Sequence, residues 1–343
     1  MIEKETKYSY RDLFIKPRTT SYIRHRSECI LPDTLPLITA PMDSIVGKEN
    51  FEEWKKNGIT PILPRTFSLE ERLEFGSHNW IALGLDEFEG ATLPKGQHVL
   101  IDIANGHMED LYDAVRKAKY EDPSLVVMVG NIANPETLIV AEEAGVDYIR
   151  VGIGAGQGCI TASNVSVSYP MASLVNDCYE VKVRHGLRVG IVADGGVRNY
   201  SDAIKALALG ADYVMIGSVF AKMLESSGEI LSFPELPRFI REEDMETYGI
   251  EPDFTKNGIG LKKIFYGMAS RQGQIAMHGQ KTRTSEGIMK FLPVEYTMRT
   301  WVENFRDYLR SAMSYTGHKR LSDFIGSPTL IVASPLTVEG INK

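Results

Sequence analysis

Short runs of β-branched and apolar residues, bounded by Gly, Asn or Asp, recur eight times: Pro36 to Ala40, Ile59 to Leu63, Ile81 to Leu85, His98 to Ile103, Leu125 to Val129, Tyr148 to Val151, Val189 to Ala193 and Tyr213 to Ile216. Each reads as a buried strand. Most are followed by a segment of helical periodicity, namely Glu49 to Asn57, Leu69 to Phe75, Met108 to Lys119, Pro135 to Ala144 and Tyr200 to Leu209. Strands alternating with helices require parallel strands joined by crossovers. Eight such units fit a closed barrel, which takes about 250 residues and carries its catalytic groups after the strands' C-terminal ends. A doubly wound sheet is the alternative arrangement. The expectation is therefore an α/β chain forming one (β/α)8 TIM barrel over residues 1–343. Two stretches break the rhythm, a long active-site loop over 152–188 and an insertion over 228–263, and a C-terminal segment covers 290–343.

Local signals agree with these units. Ser68 reads as an N-cap, Asn134-Pro135 as N-cap and first helical residue, and Ser201-Asp202 as a helix opening, while Gly145 and Gly210 read as C-caps.

With 43% hydrophobic and 24% charged residues the chain can bury a full core, which excludes disordered and fibrous classes. Its net charge is −7 and it has no long basic run, which argues against nucleic acid or an anionic membrane as partner. The three cysteines, Cys29, Cys159 and Cys178, lack CxxC or zinc spacing, so neither a disulfide framework nor a structural metal is expected. The polar start from Met1 to Tyr10 and the lack of any run of about 20 apolar residues point to a cytoplasmic protein.

Chemistry concentrates after the later strands. The run Gly152-Ile153-Gly154-Ala155-Gly156-Gln157-Gly158-Cys159-Ile160-Thr161 sets four glycines ahead of a cysteine, so backbone amides and carbonyls can turn toward a ligand or ion and a thiol can attack at the mouth. A lone cysteine is more often a small buried hydrophobe, the expectation for Cys29 and Cys178. Asp194-Gly195-Gly196 and Gly217-Ser218 stand where barrels bind phosphate through loop amides, and Asp194 suits sugar hydroxyls better than an anion. Asp102-Ile103-Ala104-Asn105-Gly106-His107 adds acceptors at the same mouth. His107 alone reads as a capping or surface histidine.

These segments resemble the IMP dehydrogenase and GMP reductase family from about Tyr8 to Ile325. The matching words include Ala40-Pro41-Met42-Asp43-Ser44, the Gly-rich cysteine loop, Ala193-Asp194-Gly195-Gly196, Phe265-Tyr266-Gly267-Met268-Ala269-Ser270 and Ser285-Glu286-Gly287. The resemblance implies a homotetrameric barrel that binds a purine nucleoside monophosphate and a nicotinamide cofactor. It implies that Cys159 attacks C2 of the purine and that Thr161 and Glu286 form a proton relay. Substrate contacts would come from Asp194, Gly195, Gly196, Gly217, Ser218, Tyr266, Gly267, Met268, Arg283, Ser285 and Gly287. Asp102, Ala104, Asn105, Gly152 and Gly154 would face the cofactor, and Gly154, Gly156 and Cys159 could hold a monovalent cation such as potassium.

Within the family, the dehydrogenase uses a long flap with an Arg-Tyr pair to activate water, whereas the reductase needs an acid for the departing amine. Arg271 to Lys281 leaves little room for such a flap and has no Arg-Tyr dipeptide. Thr282-Arg283-Thr284-Ser285-Glu286-Gly287 resembles the reductase's base-reading stretch, and no CBS regulatory insertion separates Leu85 from Pro94. The reading is an NADPH-dependent GMP reductase, which converts GMP to IMP and ammonia. The alternatives are an IMP dehydrogenase without the regulatory domain, a reductase acting on a modified purine nucleotide, and a non-catalytic nucleotide sensor. Departures from the family pattern occur at Gln157, Gly158, Ile160, Ala162 and Pro64-Arg65.

Overall fold

The computed structural model describes residues 4–231, 240–245, 247, 260–334 and 337. In chain order the strands are β1 (Leu13–Ile15), β2 (Leu37–Thr39), β3 (Ile62–Leu63), β4 (Trp80–Leu83), β5 (His98–Asp102), β6 (Val126–Ile132), β7 (Tyr148–Val151), β8 (Gly190–Asp194), β9 (Tyr213–Ile216), β10 (Lys262–Tyr266), β11 (Met289–Pro293) and β12 (Leu330–Val332). Strands β2 to β9 pair in parallel in the order β2-β9-β8-β7-β6-β5-β4-β3. A bridge between Ile38 and Thr60 joins the two ends, with Thr39 N–H donating to the Thr60 carbonyl at 3.0 Å. The eight strands thus close into the (β/α)8 barrel, and each coincides with one of the eight apolar runs. Their side chains are buried on both faces, which is why the runs are nearly continuous in Val, Ile and Leu.

The helices cover the barrel by apolar stripes. The longest, Met298–Thr316, buries Trp301, Phe305, Leu309 and Met313 at successive fourth positions. Its Thr297 cap accepts the Thr300 N–H at 3.3 Å, and Trp301 stacks on Phe305 with ring centroids 5.3 Å apart. Ser68 caps its helix as expected, accepting the Glu71 N–H.

Several expectations need correction. The stretch 152–188 is not one loop: Thr161–Val165 is a short helix, and Met171–His185 is a longer one ended by Gly186 in the left-handed conformation. Its buried Met171, Leu174, Val175, Cys178 and Val181 carry the helical period that identifies it. The helix expected to start at Pro135 starts at Thr137, because the Asn134 side chain accepts the Glu136 N–H in a turn. Asn199, rather than Ser201, caps the helix Tyr200–Ala208 through the Asp202 N–H. Of the 228–263 insertion, residues 232–239, 246 and 248–259 lie outside the described residues. Its described Ile230, Ile240, Met245 and Leu261 pack with Leu224 and Val294 in a small separate apolar cluster. No helix among the described residues is long and apolar enough to cross a membrane.

Beside that cluster lies Glu225, 3% exposed, whose carboxylate accepts the Met298 N–H at 2.8 Å. Burial pushes this carboxyl from about 4.5 up to about 7, against the opposing pull of the Met298 N–H and the Lys263 ammonium. A raised carboxyl favours the folded state while protonated, so stability falls as pH rises from about 4.5 through about 7. The contribution at stake is about 3 kcal/mol. Urea unfolding should show a shallower pH slope over this interval for Glu225→Gln than for the unmodified chain, and identical slopes would refute the assignment.

Candidate active site

At the C-terminal ends of the barrel strands a cavity of about 220 Å³ opens among Asp102, Arg150, Cys159, Asp194, Gly217 and Met268. Gly156, Gly195, Gly196 and Ser218 also line it. The ends of β2, β5, β7, β8 and β9, with the segment after β10, therefore converge where the alternation of strands and helices placed the mouth.

The cysteine loop reaches this cavity through tight backbone packing. Gly152 sits at φ +139°, and a Cβ there would lie 2.0 Å from the Asp194 carbonyl oxygen, so no side chain fits between β7 and β8. The loop then zips onto the segment after β10: Ile160 N–H donates to the Glu286 carbonyl and Ile288 N–H to the Gly158 carbonyl, both at 2.9 Å. Cys159 and Gly287 face each other across this bridge. A Cβ on Gly287 would stand 3.0 Å from the Ser270 nitrogen and 3.1 Å from the Gly158 oxygen, which makes glycine the fitting residue for so close an approach.

Across that bridge the side chains form a chain. The Cys159 thiol donates to Thr161 Oγ1 at 3.2 Å, and the Thr161 hydroxyl donates to Glu286 Oε2 at 2.8 Å. Residues 125 positions apart in sequence are thereby joined in one hydrogen-bonded line ending at a half-buried sulfur on the cavity wall. Cys29 and Cys178 are buried, as expected of structural cysteines. Burial pushes the Cys178 thiol well up.

The opposite wall is ionic. Arg150, 7% exposed, donates from Nη1 to Asp102 Oδ1 at 2.6 Å and from Nη2 to Asp194 Oδ2 at 2.9 Å. Asn131 Nδ2 adds a bond to the same Asp194 oxygen at 2.7 Å. Burial opposes the Arg150 charge, but the two carboxylates outweigh it and hold its pKa above the ordinary value. Each aspartate spends one oxygen on this network. The other, Asp102 Oδ2 and Asp194 Oδ1, makes no hydrogen bond among the described residues and remains an acceptor for a ligand hydroxyl. The Arg150 and Asn131 contributions were missed from sequence, although an arginine inside the apolar strand Tyr148–Val151 is itself the signal of a buried ion pair.

Other expected site residues are placed less directly. The Gly196 N–H donates to the Ala155 carbonyl at 3.0 Å, whereas those of Gly195, Gly217 and Ser218 have no acceptor among the described residues. Gly267 and Met268 line the cavity, but the Tyr266 hydroxyl donates to Asp43 Oδ2 at 2.6 Å and Tyr266 is not part of the lining. Arg283 and Ser285 lie outside the lining, on the segment leading to Glu286. Ala104, Asn105, Gly152 and Gly154 also lie outside it. His107 is structural, accepting the Ala133 N–H on Nε2 at 3.0 Å and meeting Thr137 Oγ1 through Nδ1, with burial lowering its pKa. No cluster of three or more His, Cys, Asp or Glu side chains suited to a metal occurs among the described residues.

A family model described as "IMP dehydrogenase / GMP reductase domain" matches residues 94–339. A GMP reductase of Onchocerca volvulus is 27% identical, the match covering 98% of this chain and 94% of the relative. GMP reductase 2 of Mus musculus is 26% identical over 96% of this chain and 95% of the relative, and a GMP reductase of Vibrio atlanticus is 27% identical over 96% of each. With a barrel whose cysteine loop and paired aspartates meet in one cavity, Glu286 joined to that loop through Thr161 although neither lines the cavity, and a family model spanning most of its length, the chain belongs to the IMP dehydrogenase / GMP reductase family.

Proposed function

We propose that this chain is a GMP reductase that forms a covalent adduct between Cys159 and C2 of the purine. The observation that carries this reading is the line from Cys159 Sγ through Thr161 to Glu286 at the cavity wall. The Cys159 sulfur adds to C2, and the amino group leaves as ammonia after gaining a proton, for which Thr161 and Glu286 stand in line. NADPH, when bound, supplies the hydride that C2 receives. Departure of the Cys159 sulfur then frees IMP, so GMP, NADPH and one proton become IMP, NADP and ammonia.

The remaining residues bind and orient. The free oxygen of Asp194 suits the ribose diol of the nucleotide. The amides of Gly195, Gly217 and Ser218 suit its phosphate. Gly196, Gly267 and Met268 line the same cavity, and the family resemblance suggests Tyr266 for the phosphate end and Arg283, Ser285 and Gly287 for the base. The free oxygen of Asp102 suits a hydroxyl of the nicotinamide riboside, with Ala104 and Asn105 following on the same loop and Gly152 and Gly154 behind it. The carbonyls of Gly154 and Cys159 accept no hydrogen bond among the described residues, and with the Gly156 carbonyl they offer hard oxygen ligands to potassium.

The segment from Arg271 to His278 is a helix, which leaves the interval before Glu286 without a long flap and favours amine expulsion over water activation. A two-by-two assay of GMP or IMP against NADPH or NAD tests the choice. The expected result is NADPH oxidation that depends on GMP and releases ammonia. NAD reduction by IMP, with no consumption of NADPH by GMP, would instead identify a dehydrogenase.

A further inference from the structure

One buried side chain outside the cavity is hydrogen-bonded to the segment that leads to Glu286. Gln274, 1% exposed, lies on the helix Arg271–His278. Its carboxamide oxygen accepts the Thr282 N–H at 3.0 Å, the Thr282 hydroxyl at 3.3 Å and the Arg283 N–H at 2.9 Å. Its amide nitrogen donates to the Ala269 carbonyl at 3.3 Å, and that same carbonyl accepts the Glu286 N–H at 3.1 Å. Between Gly279 and Glu286 these three bonds to Gln274 are the only hydrogen bonds among the described residues. An exposed stretch that makes no other hydrogen bond is thus anchored at one point, three residues before the carboxylate that meets Thr161.

A buried carboxamide that makes four hydrogen bonds is a specific clamp, because each bond it loses leaves a partner group to find a new one. We infer that Gln274 is a positioning residue: it fixes the backbone of residues 282–283 and thereby holds Glu286 in reach of Thr161 and Cys159. Its effect on turnover rests on the reductase reading, whereas its effect on the segment does not.

The test uses the full chain with Gln274→Met, which keeps the volume and removes the acceptor, and Gln274→Glu, which keeps the acceptor and, held neutral by its burial, a donor toward the Ala269 carbonyl. For Gln274→Met the hydrogen exchange of the 282 and 283 amides should rise at least about tenfold, as a locally released segment does. Misplacement of Glu286 should lower kcat about 10- to 100-fold, and release of the segment that carries Arg283 and Ser285 should raise KM for GMP as well. Gln274→Glu should restore these quantities. Unchanged exchange and kcat in Gln274→Met, or equal losses in both variants tracking a lowered melting temperature, would overturn the inference. If the unmodified chain does not turn over GMP, the reductase reading fails while the exchange comparison still decides the clamp. If Gln274→Met does not fold, 282 and 283 amides exchanging at free-peptide rates in the unmodified chain would refute it, and their protection would uphold it.

Discussion

Cys159→Ala is expected to abolish turnover, lowering GMP-dependent NADPH oxidation about 10⁴-fold or more while leaving the fold intact. A reaction split into adduct formation and resolution loses both halves when its nucleophile is removed, and other groups of the site cannot compensate. Neither remaining cysteine can substitute, since Cys29 and Cys178 are 2% and 0% exposed and lie outside the cavity lining. The thiol is half-buried on a loop, so its loss leaves no core void and the melting temperature should move by no more than about 2 °C. Steady-state rates together with thermal unfolding check this. Residual activity within about tenfold of the unmodified chain would mean that the sulfur takes no part in the chemistry.

The second large effect concerns Arg150. Replacing it by Met leaves the neighbouring Asp102 and Asp194 carboxylates on one wall of the cavity without their shared cation. Breaking a buried ion pair by removing one partner costs about 3–5 kcal/mol, because the remaining charges stay buried and uncompensated. Arg150→Met should therefore lower the denaturation midpoint substantially, and adding Asp194→Asn should recover part of the loss, since the two changes share one network. Nucleotide binding should weaken alongside, because the free Asp194 oxygen is aimed by the bonds that Arg150 and Asn131 make to the other one. A midpoint shift worth less than about 1 kcal/mol in the single variant would show that water already screens the pair.

Much of this was legible in the sequence because parallel barrels announce themselves. Buried strands such as Val126–Ile132 need apolar residues on both faces, and the turns between elements need Gly, Asn or Asp. The Cys159 loop was legible for a related reason: its glycines mark backbone that must approach other backbone closely, as Gly152 approaches Asp194. What pattern alone does not carry is pairing across the barrel. The contact of Arg150 with Asp102 spans 48 residues, and nothing local distinguishes the oxygen each aspartate spends from the one it keeps. The Met171–His185 helix was obscured by the glycine-rich loop before it, although its own apolar period was present. Tyr266 was assigned from resemblance alone, and its bond to Asp43 depends on the placement of β10, which local sequence does not report.

The central claim is that one sulfur among three faces the bound purine. Competitive alkylation tests it most directly. Iodoacetamide should label Cys159 faster than Cys29 or Cys178 in the free protein, and saturating GMP should slow that labelling selectively, as read by peptide mass. Equal rates at all three cysteines, or a Cys159 rate indifferent to GMP, would contradict the account.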